Sequence, residues 1–134
     1  MTPWAHLPNA ALIDEVLASV KTSPEEWNAA RNASRDVAWV AARDASRDVA
    51  WDTARDTVWD AARDAVWGPT WDAAHAAAWG VVAALVTYDD TGQFMKLPAE
   101  HLQRLYRIDP HPMFLLLQPA AIVFAEQGDP VCLG

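Results

Sequence analysis

The side chains best suited to acid–base or metal chemistry are a tandem carboxylate pair, Asp89-Asp90, and the histidines at 101 and 111. Two carboxylates held together can share a proton or hold a cation, and an imidazole brought beside them on folding would complete either site. No fixed ligand spacing supports a metal, and Asp89-Asp90-Thr91-Gly92 reads as a charged turn at a helix end. Asp72 and His75, three residues apart, share a helix face and read as a surface or interface pair. Cys132 is the sole cysteine and has no flanking base to activate it, so neither a nucleophile nor an internal disulfide is expected. The chain has no glycine-rich phosphate loop, nucleophile elbow or zinc signature. The expectation is a protein that is not an enzyme, with no catalytic, metal or cofactor-binding residue.

The elements that would position these side chains are dominated by a repeat. From residue 27 the chain reads WNAARNASRDVA, WVAARDASRDVA, WDTARDTV, WDAARDAV, WGPT, WDAAHAAA, W, a four-residue unit of (Trp or Arg)-Asp-Ala-Ala type. Tryptophan falls at 27, 39, 51, 59, 67, 71 and 79, always at a multiple of four from the last. Dense Ala, Arg and Asp with no alternation predicts helix. Ser23-Pro24-Glu25-Glu26 supplies an N-cap, a proline at the first helical position and a capping-box glutamate. One helix is therefore expected from about 24 to 67, broken or kinked at Gly68-Pro69, with a second from about 70 to 88.

Around that region the fold class is all-α and the 134 residues read as a single domain. Residues 10–20 form a short amphipathic helix with Asn9 as N-cap, 24–82 the repeat region, and 83–134 a compact C-terminal helical cluster. Within the cluster, Pro98 opens a helix whose apolar side carries Leu102, Leu105 and Tyr106, and 113–126 form an apolar helix bent at Pro119. This cluster and the helix at 70–88 are expected to make the globular core.

Four residues advance about 400° on a helix, so equivalent repeat positions drift by about 40° per unit. On an unbroken helix Trp39 would lie about 120° and Trp51 about 240° from Trp27, leaving indoles on every side. Arginine four residues from tryptophan (Arg43 after Trp39, Arg47 before Trp51, Arg63 before Trp67) can cover a ring face for about 0.5–1 kcal/mol. Aspartate three residues before Arg47, Arg55 and Arg63 adds a few tenths of a kcal/mol each. Seven indoles are still too many to hide on one helix, so self-association is expected. The drift opposes a left-handed heptad pairing and favours a right-handed supercoil or a ring of helices. The expected oligomer or partner interface is Trp27, Trp39, Trp51, Trp59, Trp67 and Trp71 with Arg43, Arg47, Arg55 and Arg63.

A net charge of −8 argues against nucleic-acid binding, which needs a basic face. An acidic DNA mimic is a weaker alternative, because residues 25–82 interleave six Arg with eight Asp and two Glu. The longest apolar stretches, 76–88 and 113–125, fall short of the ~20 residues of a spanning helix, so no membrane is expected. The start lacks a basic leader and an apolar run, and the single cysteine fits a reducing compartment, so the expected location is the cytoplasm.

The WDAARD-type repeat, then LVTYDD at 85–90, a short Pro-initiated helix, and MFLLLQPAAIVF at 113–124 together resemble a group of proteins encoded by actinobacterial phages and some bacteria. Those proteins carry Trp/Ala/Arg/Asp repeats ahead of a Tyr-Asp-Asp-like and a Leu-Leu-Leu-Pro-Ala-like element; here Gln118 interrupts the second. The resemblance spans residues 27 to 125. It implies a small accessory phage protein in the host cytoplasm and carries no activity or catalytic residue across. The reading is a non-enzymatic helical protein forming a symmetric homo-oligomer, a ring or bundle used as scaffold; the alternative is a monomeric module that binds a host protein through exposed Trp.

Overall fold

The structure, a computed structural model, describes residues 2–34 and 37–126. Along the chain run α1 (Ala10–Thr22), α2 (Pro24–Ser34), α3 (Val37–Asp52), α4 (Asp56–Trp67), α5 (Ala73–Thr87), a 3-10 helix (Asp89–Phe94), α6 (Ala99–Ile108), α7 (Pro112–Leu116) and α8 (Gln118–Glu126). The fold is all-α, with no strand among the described residues. Cys132 and Arg35 lie outside them.

Helix α5 is the axis. Its sequence, AAHAAAWGVVAALVT, is apolar on every side, and such a helix is stable only when surrounded. Every residue from Ala77 to Thr87 is buried, with α1, α2, α3, α4, α7 and α8 packed around it. Alanine and glycine keep its surface narrow, so bulky neighbours can come close. Trp39 of α3 uses that space most fully: a Cβ on Gly80 would run into its ring. Trp59 meets Trp79 edge-on at 4.5 Å, and Trp27 meets Phe124 edge-on at 6.1 Å while its Nε1 donates to Ser19 Oγ at 2.9 Å.

The expected single helix over 24–67 does not form. Between α3 and α4, Ala54 adopts a positive φ of 60°, the Arg55 N–H donates to the Ala50 carbonyl, and the Ala54 N–H donates to that of Trp51. These two bonds are a Schellman ending, with an alanine where glycine is usual. The Thr53 hydroxyl also donates to the Val49 carbonyl at 2.9 Å. Further on, α4 ends at Trp67, before Gly68-Pro69, and α5 begins at Ala73.

Short helices answer the drift problem that one long helix would have. Inward positions are Trp27 and Ala30 on α2, Trp39, Ala42, Ser46 and Ala50 on α3, and Trp59, Ala62 and Val66 on α4. Their spacing of three and four residues makes a one-sided face on each helix. Trp51 lies twelve residues after Trp39 on α3, has drifted about 120°, and points outward. The turn at 53–55 then resets the phase, and Trp59 faces inward again. Indoles that would encircle a long helix are thus largely buried within one copy.

The C-terminal elements close the shell. Leu102 of α6 is buried, with Leu105 and Tyr106 half-buried beside it. The expected helix over 113–126 is two helices turning at Leu117, and Pro119 falls in the first turn of α8, where a missing N–H costs nothing. The buried apolar side chains form one cluster from Trp4 to Phe124. The core is therefore wider than the C-terminal cluster and helix 70–88, because the part of the repeat before that helix contributes three tryptophans, Trp27, Trp39 and Trp59.

The carbonyls of Leu85, Val86 and Thr87 at the end of α5 lack partners within the helix and lie among buried residues, while that of Ala84 already accepts the Tyr88 N–H at 2.9 Å. Thr91 Oγ1 donates to Ala84 O at 3.0 Å, Asn9 Nδ2 to Leu85 O at 3.1 Å, and Arg55 Nη1 to Val86 O and Thr87 O at 3.1 and 3.3 Å. Asn9 stands at the N-cap of α1, as expected, but makes no side-chain cap bond there. Its amide caps α5 instead, 76 residues away in sequence.

Candidate functional site

Of the ten residues expected at an interface, the fold treats members of one repeat register quite differently. Trp27, Trp39 and Trp59 are enclosed by the chain's own core, while Trp51 and Trp71 are 71% and 73% exposed. Trp67 is half-buried and stacks on Trp71, centroids 4.6 Å apart and planes 19° from parallel. The premise of the supercoil and ring expectations, an unbroken helix with indoles all round, does not hold.

The arginines divide in the same way. Arg43 lies over the Trp39 ring, four residues back, at 5.9 Å, as the repeat spacing predicts, and 3.8 Å from Asp44. Arg47 lies 5.6 Å over Trp59, on the next helix, rather than pairing along α3 with Trp51. Arg63 keeps the expected contact with Asp60, at 3.8 Å. Arg55 leaves the repeat altogether, pairing with Asp89 at 2.9 Å while it caps α5.

Trp71 sits on a built platform. Asp72 is the N-cap of α5; its Oδ1 accepts from the His75 backbone N–H at 3.1 Å and from His75 Nδ1 at 2.7 Å. These two bonds, the side-chain one first, hold the Asp72 carboxyl below the usual carboxylate range. The His75 ring lies nearly parallel to Trp67 at 6.2 Å. Trp71, Trp67, His75 and Asp72 are therefore linked at the start of α5. The Asp72–His75 pair read from the sequence is a helix cap. Beside it a cleft of about 370 Å³ opens between the first turns of α2 and α5, lined by Pro24, Glu25, Asn28 and Asp72–Ala74.

The acid–base candidates do not assemble. Asp89 is engaged by Arg55, Asp90 and His101 are exposed, and His111 accepts the Met113 N–H on Nδ1 while its ring meets Tyr88 edge-on at 4.4 Å. Among the described residues no three His, Cys, Asp or Glu side chains gather as a metal site would require. No helix among them is long and apolar enough to cross a membrane. The chain matches no protein-family model, curated protein or solved structure.

Sequence reasoning missed Asn9, Arg55 and Thr91 as a polar cap on the buried helix. One trace of the break that frees Arg55 was present: the tryptophan interval changes from twelve to eight at Trp51.

Proposed function

We propose that the protein is a non-enzymatic assembly protein, which self-associates into a symmetric homo-oligomer through the indoles its fold leaves outside and serves as a scaffold. The observation that carries this reading is the exposure of Trp51 and Trp71 on a chain that buries Trp4, Trp27, Trp39, Trp59 and Trp79. Indole carries one of the largest apolar surfaces of any side chain and is among those most enriched at the centre of protein interfaces. The resemblance of the repeat and of the elements at 85–90 and 113–124 supports reading such an assembly as an accessory phage protein that acts in a host cytoplasm.

Light scattering on the intact chain tests it. A stable species well above 14.7 kDa is expected. A monomer at every concentration overturns the reading. In that case a second reading applies, a monomeric module that binds a host protein. The stack of Trp71 on Trp67 favours it, since a ring held in one pose loses little entropy on binding.

A further inference from the structure

The outer face of α3 has an arrangement that fits a second copy of itself. On this helix Val37, Val40, Asp44, Asp48 and Trp51 fall within a sector of about 80°, opposite the inward face of Trp39, Ala42, Ser46 and Ala50. Val37 is 86% exposed, Trp51 71% and the Asp44 side chain 70%. Arg47 borders the same sector and is also exposed. Apolar groups thus stand at both ends of the helix, about 21 Å apart, with two carboxylates, Asp44 and Asp48, between them and the Arg47 guanidinium at the edge.

We infer that two copies pair through this face, α3 against α3 in antiparallel orientation about a two-fold axis near the middle of the helix. Antiparallel pairing sets Trp51 of each copy over Val37 and Val40 of the other and brings Arg47 of each beside Asp44 of the other. A two-fold makes every contact twice, so one complementary pair gives two. Parallel pairing would align Asp44 with Asp44 and Arg47 with Arg47, and opposed like charges disfavour it. The inward face of α3 is already occupied by α4, α5 and α7, so pairing asks for no rearrangement. This inference rests on the self-association proposed above and names the surface that carries it.

The test is sedimentation of the full chain over loading concentrations from about 1 μM to about 1 mM, the range in which a single helix face should associate and dissociate. Wild type is expected to run as a dimer or an even multimer. Trp51→Ser should weaken association about tenfold or more. Asp44→Arg and Arg47→Asp should each weaken it, and the two together should restore it, because the reversed pair is again complementary. Circular dichroism confirms the fold of each variant; if Arg47→Asp disturbs the Trp59 ring beneath it, Trp51→Ser and Asp44→Arg decide. A multimer indifferent to those two overturns the α3 pairing and leaves self-association standing. Weakening by both single charge reversals without restoration in the double variant overturns the antiparallel arrangement. A wild-type monomer throughout overturns both.

Discussion

Trp39 and Trp51 are the same residue in the same register, twelve positions apart on one helix, and they have opposite environments. Trp39 lies in the space left by Gly80 of the central helix; Trp51 stands in water. Residue type and repeat phase are equal, so what separates them is the angle accumulated along α3 and the limited arc that α5 offers. A helix can turn only one side to a single neighbour. A register that drifts about 40° per four residues returns to the same face only after about ten turns, so the tryptophan that follows a buried one must either point outward or come after a break.

The pair of alanine substitutions tests that comparison with the largest expected effect. Trp39→Ala should destabilise the fold by roughly 3–5 kcal/mol, the range for removing a large buried ring. Trp51→Ala should stay within about 0.5 kcal/mol when measured as dilute chain, because an exposed side chain has little to lose. Chemical denaturation followed by circular dichroism reads both. Equal losses would mean that the two indoles are not differently buried, and the phase account of the repeat would fail.

A smaller change at the facing position sharpens the cause. Gly80→Ala gains about 1 kcal/mol of helix propensity but overpacks Trp39, at a cost of roughly 1–3 kcal/mol. A net loss is expected. In a Trp39→Phe background the same substitution should cost less, since the smaller ring leaves room for the methyl, and the double-mutant cycle isolates that coupling. A gain in stability from Gly80→Ala in the native background would show that the ring does not occupy the glycine gap.

Much of the fold was legible because it is set locally. The Ser23-Pro24 start of α2, the amphipathic α6 and the all-apolar α5 each follow from residues close in sequence. Three things were not legible. The break after α3 uses Ala54 at positive φ, where no glycine marks it. Asn9 read as the cap of its own helix, yet it serves carbonyls that only tertiary folding brings near. Arg55 holds the same repeat position as Arg43 and Arg63 but lies in the turn, which lets its guanidinium reach α5 and Asp89. In the candidate site the sequence named Trp51 and Trp71 together with Trp27, Trp39 and Trp59, because inside or outside is decided by which helix face meets α5 and, for Trp71, by its place in the connection before that helix.

The smallest effect concerns the break itself, and its sign is the informative part. A non-glycine residue in the left-handed region costs roughly 1–2 kcal/mol, so Ala54→Gly relieves strain at the Schellman turn. Against this stands a cost of about 0.4–1 kcal/mol from the freer unfolded chain. A net stabilisation of about 0.5–1 kcal/mol is expected, seen as a rise of a few degrees in the thermal midpoint. Were the repeat one continuous helix through residue 54, the same glycine would sit in a helix interior and destabilise by about 1 kcal/mol. The two structures thus predict opposite signs for one substitution. A rise supports a turn that returns Trp59 to the core after Trp51 has left it; a fall restores the long helix, with its indoles winding around every side.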